Sequence, residues 1–254
     1  MQLFDLSGQV AIVTGSSRGI GRAIAERLAE HGARVVISSR KAEACTVVSQ
    51  EINRRYGEQA SIAVPASISS KGDLRALVDA ANSAFGPVSI LVCNAASNPY
   101  YGPMSGIGDE SFRKILDNNV LANHWLIQMV APAMCEARDG AIIVISSIAG
   151  LRGSPTIGAY GISKAADMQL VRNLAVEFGP HNVRVNCIAP GVIKTDFSRA
   201  LWEDPDMKER VIGTSPLRRF GEPDDVAGIA VCLAGPAGRF ITGQTLVVDG
   251  GDTI

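Results

Sequence analysis

Short apolar runs alternate with longer amphipathic stretches along the whole chain. The runs at 10–14, 34–38, 60–66, 88–93, 141–146, 183–188 and 245–248 have strand length and are rich in Val, Ile and Ala. They are continuous rather than alternating, which predicts strands covered on both faces. Between them the pattern predicts helices over 19–31, 41–56, 71–84, 110–138, 158–178 and 223–233. Strand, helix, strand at this interval implies right-handed crossovers. The expected fold is α/β: one domain over 1–254, a doubly wound parallel sheet flanked by helices on both faces. No linker, repeat or low-complexity segment interrupts it. The longest irregular segment, about 189–222, holds Pro190, Pro205 and Pro216. A loop of that length in a compact domain is expected to bind substrate or act as a lid.

Composition narrows the function classes. Of 254 residues, 46% are hydrophobic and 19% charged, enough to bury a full-size core. Lys plus Arg is 24 against 25 for Asp plus Glu, so a nucleic-acid partner is not expected. The five cysteines, Cys45, Cys93, Cys135, Cys187 and Cys232, are scattered without a C-x-x-C pair. They read as small buried hydrophobes in a reducing cell, not as a disulfide framework or zinc site. His31, His124 and His181 share no ligand spacing, so no metal site is expected. No basic stretch followed by an apolar one opens the chain, and no run reaches the ~20 residues that span a bilayer. The last residues match no retention or peroxisomal signal. A cytoplasmic protein without a membrane partner is the expectation.

The first strand runs into Thr14-Gly15-Ser16-Ser17-Arg18-Gly19-Ile20-Gly21, and a helix begins at once. Glycines allow the sharp turn and let backbone approach a pyrophosphate. The helix N-terminus then turns free N–H groups toward the anion. A dinucleotide cofactor is the expected ligand.

The spacing here is G-x-x-x-G-x-G, which resembles the turn of the short-chain dehydrogenases/reductases. The resemblance covers essentially the whole chain. Cys93-Asn94-Ala95-Ala96 is similar to the N-N-A-G segment after the fourth strand, with Cys93 and Ala96 as departures. Ser147, Tyr160 and Lys164 match S…Y-x-x-x-K, and Asn119 matches the Asn that completes the tetrad. Residues 186–191, N-C-I-A-P-G, and 241–251, I-T-G-Q-T-L-V-V-D-G-G, resemble the two C-terminal signatures. The fold this implies is Rossmann-type. The cofactor contacts it implies are Gly15, Ser17, Arg18, Gly19, Ile20, Gly21, Ser39, Arg40, Ser67, Ile68, Asn94, Ala95, Tyr160, Lys164, Pro190, Gly191, Ile193 and Thr195. Ser67 stands where many members place an Asp beside the adenine.

An NAD enzyme usually carries an acid about twenty residues past the turn, on the ribose 2′-OH. The second strand ends instead in Ser38-Ser39-Arg40-Lys41, with Ser39 where NAD-preferring members place Asp. Ser39, Arg40 and Arg18 would hold a 2′-phosphate. NADP(H) is the expected cofactor, ahead of NAD(H).

Tyr160 and Lys164 are four residues apart, so they share a helix face. An ammonium beside the phenol favours its deprotonated form. The resemblance implies that Tyr160 exchanges a proton with the substrate oxygen as hydride moves. It implies that Ser147 hydrogen-bonds that oxygen. Lys164 would also hold the nicotinamide ribose, and Asn119 a water that links Lys164 to solvent. The expected activity is interconversion of a ketone or aldehyde with an alcohol.

Residues 97–101 and 193–202 resemble NADPH-dependent carbonyl reductases of the peroxisomal retinal/carbonyl reductase subgroup. Tyr100, Tyr101, Phe197, Leu201 and Trp202 would offer an apolar wall, and Trp202 reads equally as packing. The alternatives are a 3-oxoacyl reductase of fatty-acid type and an NAD-dependent alcohol, sugar or steroid dehydrogenase. A non-catalytic nucleotide sensor is the alternative outside enzymes. A homotetramer is implied, with 110–138 and 158–178 packing across subunits. Asp224 and Asp225 read as helix N-terminal charge. Arg54-Arg55 and Arg218-Arg219 read as solvated pairs.

Overall fold

The computed structural model describes residues 2–254. In chain order the main elements are β1 (Val10–Thr14), α1 (Gly19–Glu30), β2 (Arg34–Ser38), α2 (Ala42–Tyr56), β3 (Ser61–Ala63), α3 (Lys71–Phe85) and β4 (Ile90–Cys93). Then follow α4 (Asp109–Leu116), a π turn (Asp117–Leu121), α5 (Ala122–Ala137), β5 (Gly140–Ile145), α6 (Gly158–Phe178) and β6 (Val183–Pro190). The chain ends with α7 (Arg199–Trp202), α8 (Pro205–Thr214), α9 (Pro223–Ala234) and β7 (Thr245–Val248).

The strands form one seven-stranded sheet in the order β3-β2-β1-β4-β5-β6-β7, and every pairing is parallel. This is the expected Rossmann-type α/β domain. Successive strand residues feed opposite cores, which is why the runs read as continuous. Ile12, Leu91, Ile142 and Val144 join the core under α3, α5 and α6. Val13, Val92, Ile143 and Ile145 join the core under α1, α2 and α9. From β1 the chain winds to β3 at one edge, then crosses to β4 on the other side of β1. The carboxyl ends of β1 and β4 therefore bound the crevice where such sheets take ligands.

Several boundaries differ from expectation. The helix expected over 110–138 is α4 and α5 joined through the π turn, which carries Asn119. A π turn inserts one residue into the helical ladder and re-aims the side chains it carries. β3 is shorter than 60–66: its regular pairing covers Ser61–Ala63, and Pro65 follows on the outer edge of the sheet, where no N–H is needed. Val64 N and Ala66 N still donate to Ile37 O and Ser39 O at 2.9 and 3.1 Å. The segment 189–222 is not irregular throughout: the end of β6, α7 and α8 lie in it.

The charged pairs also find partners. Asp224 and Asp225 do lie in the first turn of α9, and Asp225 completes a capping box with Glu222. Arg219 pairs with Asp225 at 2.6 Å, and Arg55 reaches Glu26 at 3.9 Å. No helix among the described residues is long and apolar enough to cross a membrane.

Candidate active site

The crevice is built from the ends of β1, β4, β5 and β6. Gly15 has φ +66° and Gly19 φ +56°, the left-handed region that glycine tolerates. A Cβ on Gly21 would lie 2.5 Å from Gly15 O, so only a bare backbone lets the helix start this close. Arg18 caps α1 without a side-chain bond, and the first turn holds no acid. The positive end of α1 therefore faces the turn uncompensated by protein. Those features fit a diphosphate.

Two buried hydroxyls brace this turn. Ser16 Oγ donates to Val13 O at 2.7 Å and accepts from Ser38 N at 2.8 Å, locking the turn to β2. Thr14 Oγ1 accepts from Asn94 N at 3.0 Å and Ala95 N at 3.1 Å. Asn94 Nδ2 donates back to Thr14 O at 2.9 Å. Asn94 and Ala95 thus join β4 to β1 across the crevice. Neither Ser16 nor Thr14 stood out in the sequence, because hydroxyls are common in turns.

At the end of β2, Ser39 is half-buried, and its Oγ lies 3.1 Å from Cys45 Sγ. Arg40 is exposed and makes no ion pair among the described residues. Ser17, Arg22, Lys41 and Glu43 line a groove of about 320 Å³ nearby. Ser67 N donates to Asp73 Oδ2 at 3.0 Å, and Ile68 packs on the core beneath α3. Asp73 is exposed, and this bond holds its carboxyl below the usual range.

The segment after β6 folds back over the Gly turn. Gly191 N donates to Val248 O at 2.9 Å, tying the end of β6 to β7. Ile193 is buried, and Lys194 N donates to Gly221 O at 2.8 Å. Thr195 comes close enough that a Cβ on Gly19 would lie 3.1 Å from its Cγ2. Arg18 Nη1 donates to Asp196 Oδ2 at 3.1 Å. Trp202 Nε1 donates to Thr195 O at 3.0 Å, so this indole braces the loop from within.

β5 ends at Ile145, and half-buried Ser147 opens a short helical turn in which its Oγ accepts from Ala149 N at 3.1 Å. That turn presses on α6: a Cβ on Gly161 would lie 2.7 Å from Ala149 O. The Tyr160 ring is half-buried, with the Phe197 ring centroid 6.2 Å away. Phe197 itself is 62% exposed. One turn along α6, Lys164 Nζ lies 5.7 Å from the Tyr160 ring centroid. That amine donates to Ile145 O at 2.8 Å and to Asp167 Oδ2 at 3.0 Å.

Asn119 sits in the π turn and is fully buried. Its Oδ1 accepts from Ser97 N at 2.8 Å. Its Nδ2 donates to Ser97 O and to Ser163 Oγ, each at 3.0 Å. Ser163 Oγ donates to Tyr160 O at 2.7 Å. Asn119 thereby connects the segment after β4 to the turn of α6 that bears Tyr160. Asn123 Nδ2 donates to Asn119 O at 2.6 Å and to Asp167 Oδ1 at 3.1 Å.

Ser163, Asn123 and Asp167 were not singled out from the sequence. A signal was available: each lies three or four residues from Tyr160, Asn119 or Lys164, on a helix face otherwise apolar.

Of the expected aromatic wall, Phe197 reaches Tyr160. Tyr101 is exposed, and Tyr100 Oη donates to Pro103 O at 2.9 Å.

Comparison with known proteins gives one consistent picture. A family model described as "Enoyl-(Acyl carrier protein) reductase" matches residues 15–253. A Bos taurus protein named "Dehydrogenase/reductase SDR family member 4" is 42% identical over 247 residues, covering 97% of this chain and 88% of the relative. A putative gluconate dehydrogenase from Agrobacterium tumefaciens superposes with a TM-score of 0.95 at 30% identity, covering 100% of both chains. A 7α-hydroxysteroid dehydrogenase complexed with NADH and 7-oxo glycochenodeoxycholic acid superposes with a TM-score of 0.93 at 38% identity. That match covers 98% of this chain and 95% of the other.

Proposed function

The chain belongs to the short-chain dehydrogenase/reductase family, as an oxidoreductase of carbonyl and alcohol groups. From that premise we propose that it is an NADP(H)-dependent carbonyl reductase of ketones and aldehydes. The observation that carries the reading is the Tyr160–Lys164 pair: one turn apart on α6, with the amine 5.7 Å from the phenol ring, beside the β5 end that bears Ser147.

The Gly15–Gly21 turn, with Ser17, Gly19 and Ile20, cradles the cofactor diphosphate. Ser39, Arg40 and Arg18 take the 2′-phosphate. Ser67 and Ile68 flank the adenine. Asn94, Ala95, Pro190, Gly191, Ile193 and Thr195 border the nicotinamide end. Bound there, the nicotinamide supplies the hydride for reduction or accepts it in oxidation.

The protein's own residues move the proton. Tyr160 Oη gives it to the carbonyl oxygen in reduction and takes it from the hydroxyl in oxidation. Ser147 Oγ donates to the same oxygen and stabilises charge developing there. An ammonium has three N–H donors. Lys164 uses two on Ile145 O and Asp167, which leaves one for a ribose hydroxyl. Asn119 holds the Tyr160 turn through Ser163, and its proposed further role is to border a water that would link Lys164 to solvent.

The 189–222 segment closes the substrate side, with Phe197, Leu201 and the braced Trp202 as an apolar wall. Exposed Leu121 beside α5, with Ile162 and Val176 on α6, fits a homotetramer packed through these helices. All five thiols are free, which fits action in the reducing cytoplasm.

The test is a panel of ketones, aldehydes, a steroid ketone and a 3-oxoacyl thioester, followed with NADPH and NADH in parallel. Reduction of simple ketones with NADPH preferred is expected, and turnover of the 3-oxoacyl thioester alone would move the assignment to fatty-acid-type reduction. Tyr160→Phe should lose at least ~10²-fold in kcat while NADPH still binds. Unchanged turnover in that variant would remove the reading.

A further inference from the structure

The face of α6 that points into the fold carries Ser163, Lys164 and Asp167 beside Met168, Val171 and Leu174. Lys164 is 2% exposed and Asp167 is 0% exposed. Their ion pair spans 3.0 Å, three residues apart on one helix. The second carboxylate oxygen accepts from Asn123 Nδ2 at 3.1 Å. Two interior helices thus converge on a carboxylate that is itself sealed from solvent.

We propose that Asp167 is a positioning residue: it supplies the counter-charge that keeps the buried Lys164 amine protonated and aimed at the Tyr160 ring. The catalytic consequence rests on the oxidoreductase reading above; the pairing itself does not.

A buried amine without a partner loses its proton readily, because desolvation disfavours the charged form. Burial pushes Lys164 in that direction, but Asp167 and then Tyr160 more than reverse it, so the amine holds its proton more tightly than usual. Burial pushes Asp167 above the ordinary carboxyl range, against the pull of Lys164 and Asn123.

The other groups around the pair do not carry its charge. The π turn and α5 present neutral Asn119 and Asn123. Ser146, after β5, donates to Lys164 O at 2.8 Å. Cys93 on β4 and Cys187 on β6 have thiols raised by burial, Cys187 to about 12, so both are neutral at physiological pH. Tyr160 is the remaining titratable neighbour. Asp167 is therefore the one fixed negative charge on Lys164 among the described residues.

The chain has six lysines, so side-chain ¹⁵N NMR can follow Lys164 by itself, assigned by its loss in Lys164→Met. In Asp167→Asn the Lys164 amine should deprotonate about two pH units below the wild type. NADPH affinity, read by fluorescence, should then begin to weaken about two pH units lower in Asp167→Asn than in the wild type. Asp167→Glu should restore the wild-type titration. Identical Lys164 titration in the wild type and Asp167→Asn would overturn the proposal.

If Asp167→Asn does not fold, the matched apolar variant Lys164→Met/Asp167→Leu decides. Recovery of the fold there identifies the unpaired charge as the cause, since buried pairs are replaced more safely than broken. Failure of both makes Asp167 a packing residue and overturns the proposal. If the wild type reduces no carbonyl compound, the oxidoreductase reading falls. The amine titration still decides the role of Asp167.

Discussion

Arg18 and Asp196, 178 residues apart in sequence, meet at 3.1 Å and join the Gly turn to the segment that follows β6. The same carboxylate also pairs with Arg199 at 3.1 Å. A residue expected to meet a cofactor phosphate is thus held by an acid of the loop proposed to border the nicotinamide. On that reading the phosphate and Asp196 would compete for one guanidinium.

Asp196→Asn should free Arg18 and tighten NADPH. Both partners are largely exposed, so the pair contributes about 0.2–1 kcal/mol, which is a fall in Kd of about 1.4-fold to about fivefold. Fluorescence titration measures this directly. A weaker NADPH complex would show that Asp196 supports the phosphate site instead of competing with it.

Ser39→Asp tests the cofactor choice. A carboxylate at the end of β2 would repel a 2′-phosphate and accept from a free 2′-hydroxyl. NADPH binding should weaken at least about tenfold while NADH changes by less than about threefold. Equal losses for both cofactors would remove the 2′-phosphate argument from Ser39 and Arg40.

Gly21→Ala should damage the site and the fold together. Its Cβ would meet backbone, Gly15 O at 2.5 Å, which cannot rotate aside. Overpacking of this kind costs about 1–3 kcal/mol, or roughly 2–4 °C in Tm per kcal/mol at this size. NADPH binding should fall with it. Gly57→Ala is the control: φ is +113° with nothing within 4 Å, so strain lowers Tm and leaves NADPH affinity alone.

Acid sensitivity follows from Asp224. Arg27 Nε and Nη2 donate to its two oxygens at 3.0 and 2.6 Å, clamping α1 to α9. Chiefly through that bonding its carboxyl is held below the ordinary value of 3.8. A lowered acid stabilises the fold above its unfolded value and loses that contribution as pH falls through the folded one. The wild type minus Asp224→Asn difference in Tm should therefore be present at pH 7, shrink as pH falls below 3.8 and be lost once pH passes the lowered folded value. Because Asp224 is solvent-exposed, the difference should stay under about 1 kcal/mol. A difference that does not shrink at all on acidification would mean the clamp does not act through charge.

The parallel sheet was legible because both of its faces are apolar, so Val10–Thr14 and Gly140–Ile145 announce themselves without periodicity. The Gly turn was legible because it is local: Gly15 to Gly21 act through backbone geometry that seven adjacent residues suffice to specify. Tyr160 and Lys164 could be paired because helical spacing brings residues four apart onto one face. The π turn at Asn119 was not legible, since an inserted residue changes no composition and breaks no apolar pattern. Asp196 was not legible for a different reason: it looks like any Asp until its partner is known.

Residue order alone determined what depends on neighbours along the chain: the strands, the helices, the glycine turn and the spacing of Tyr160 and Lys164. Tertiary structure decided what depends on neighbours across it. It brought Asp196 to Arg18 and Phe197 to Tyr160. It also buried Asp167 beside Lys164, where the loss of water turns an ordinary carboxylate into the counter-charge of an amine. Local geometry is encoded within a few residues, whereas burial is a property of the whole packed chain.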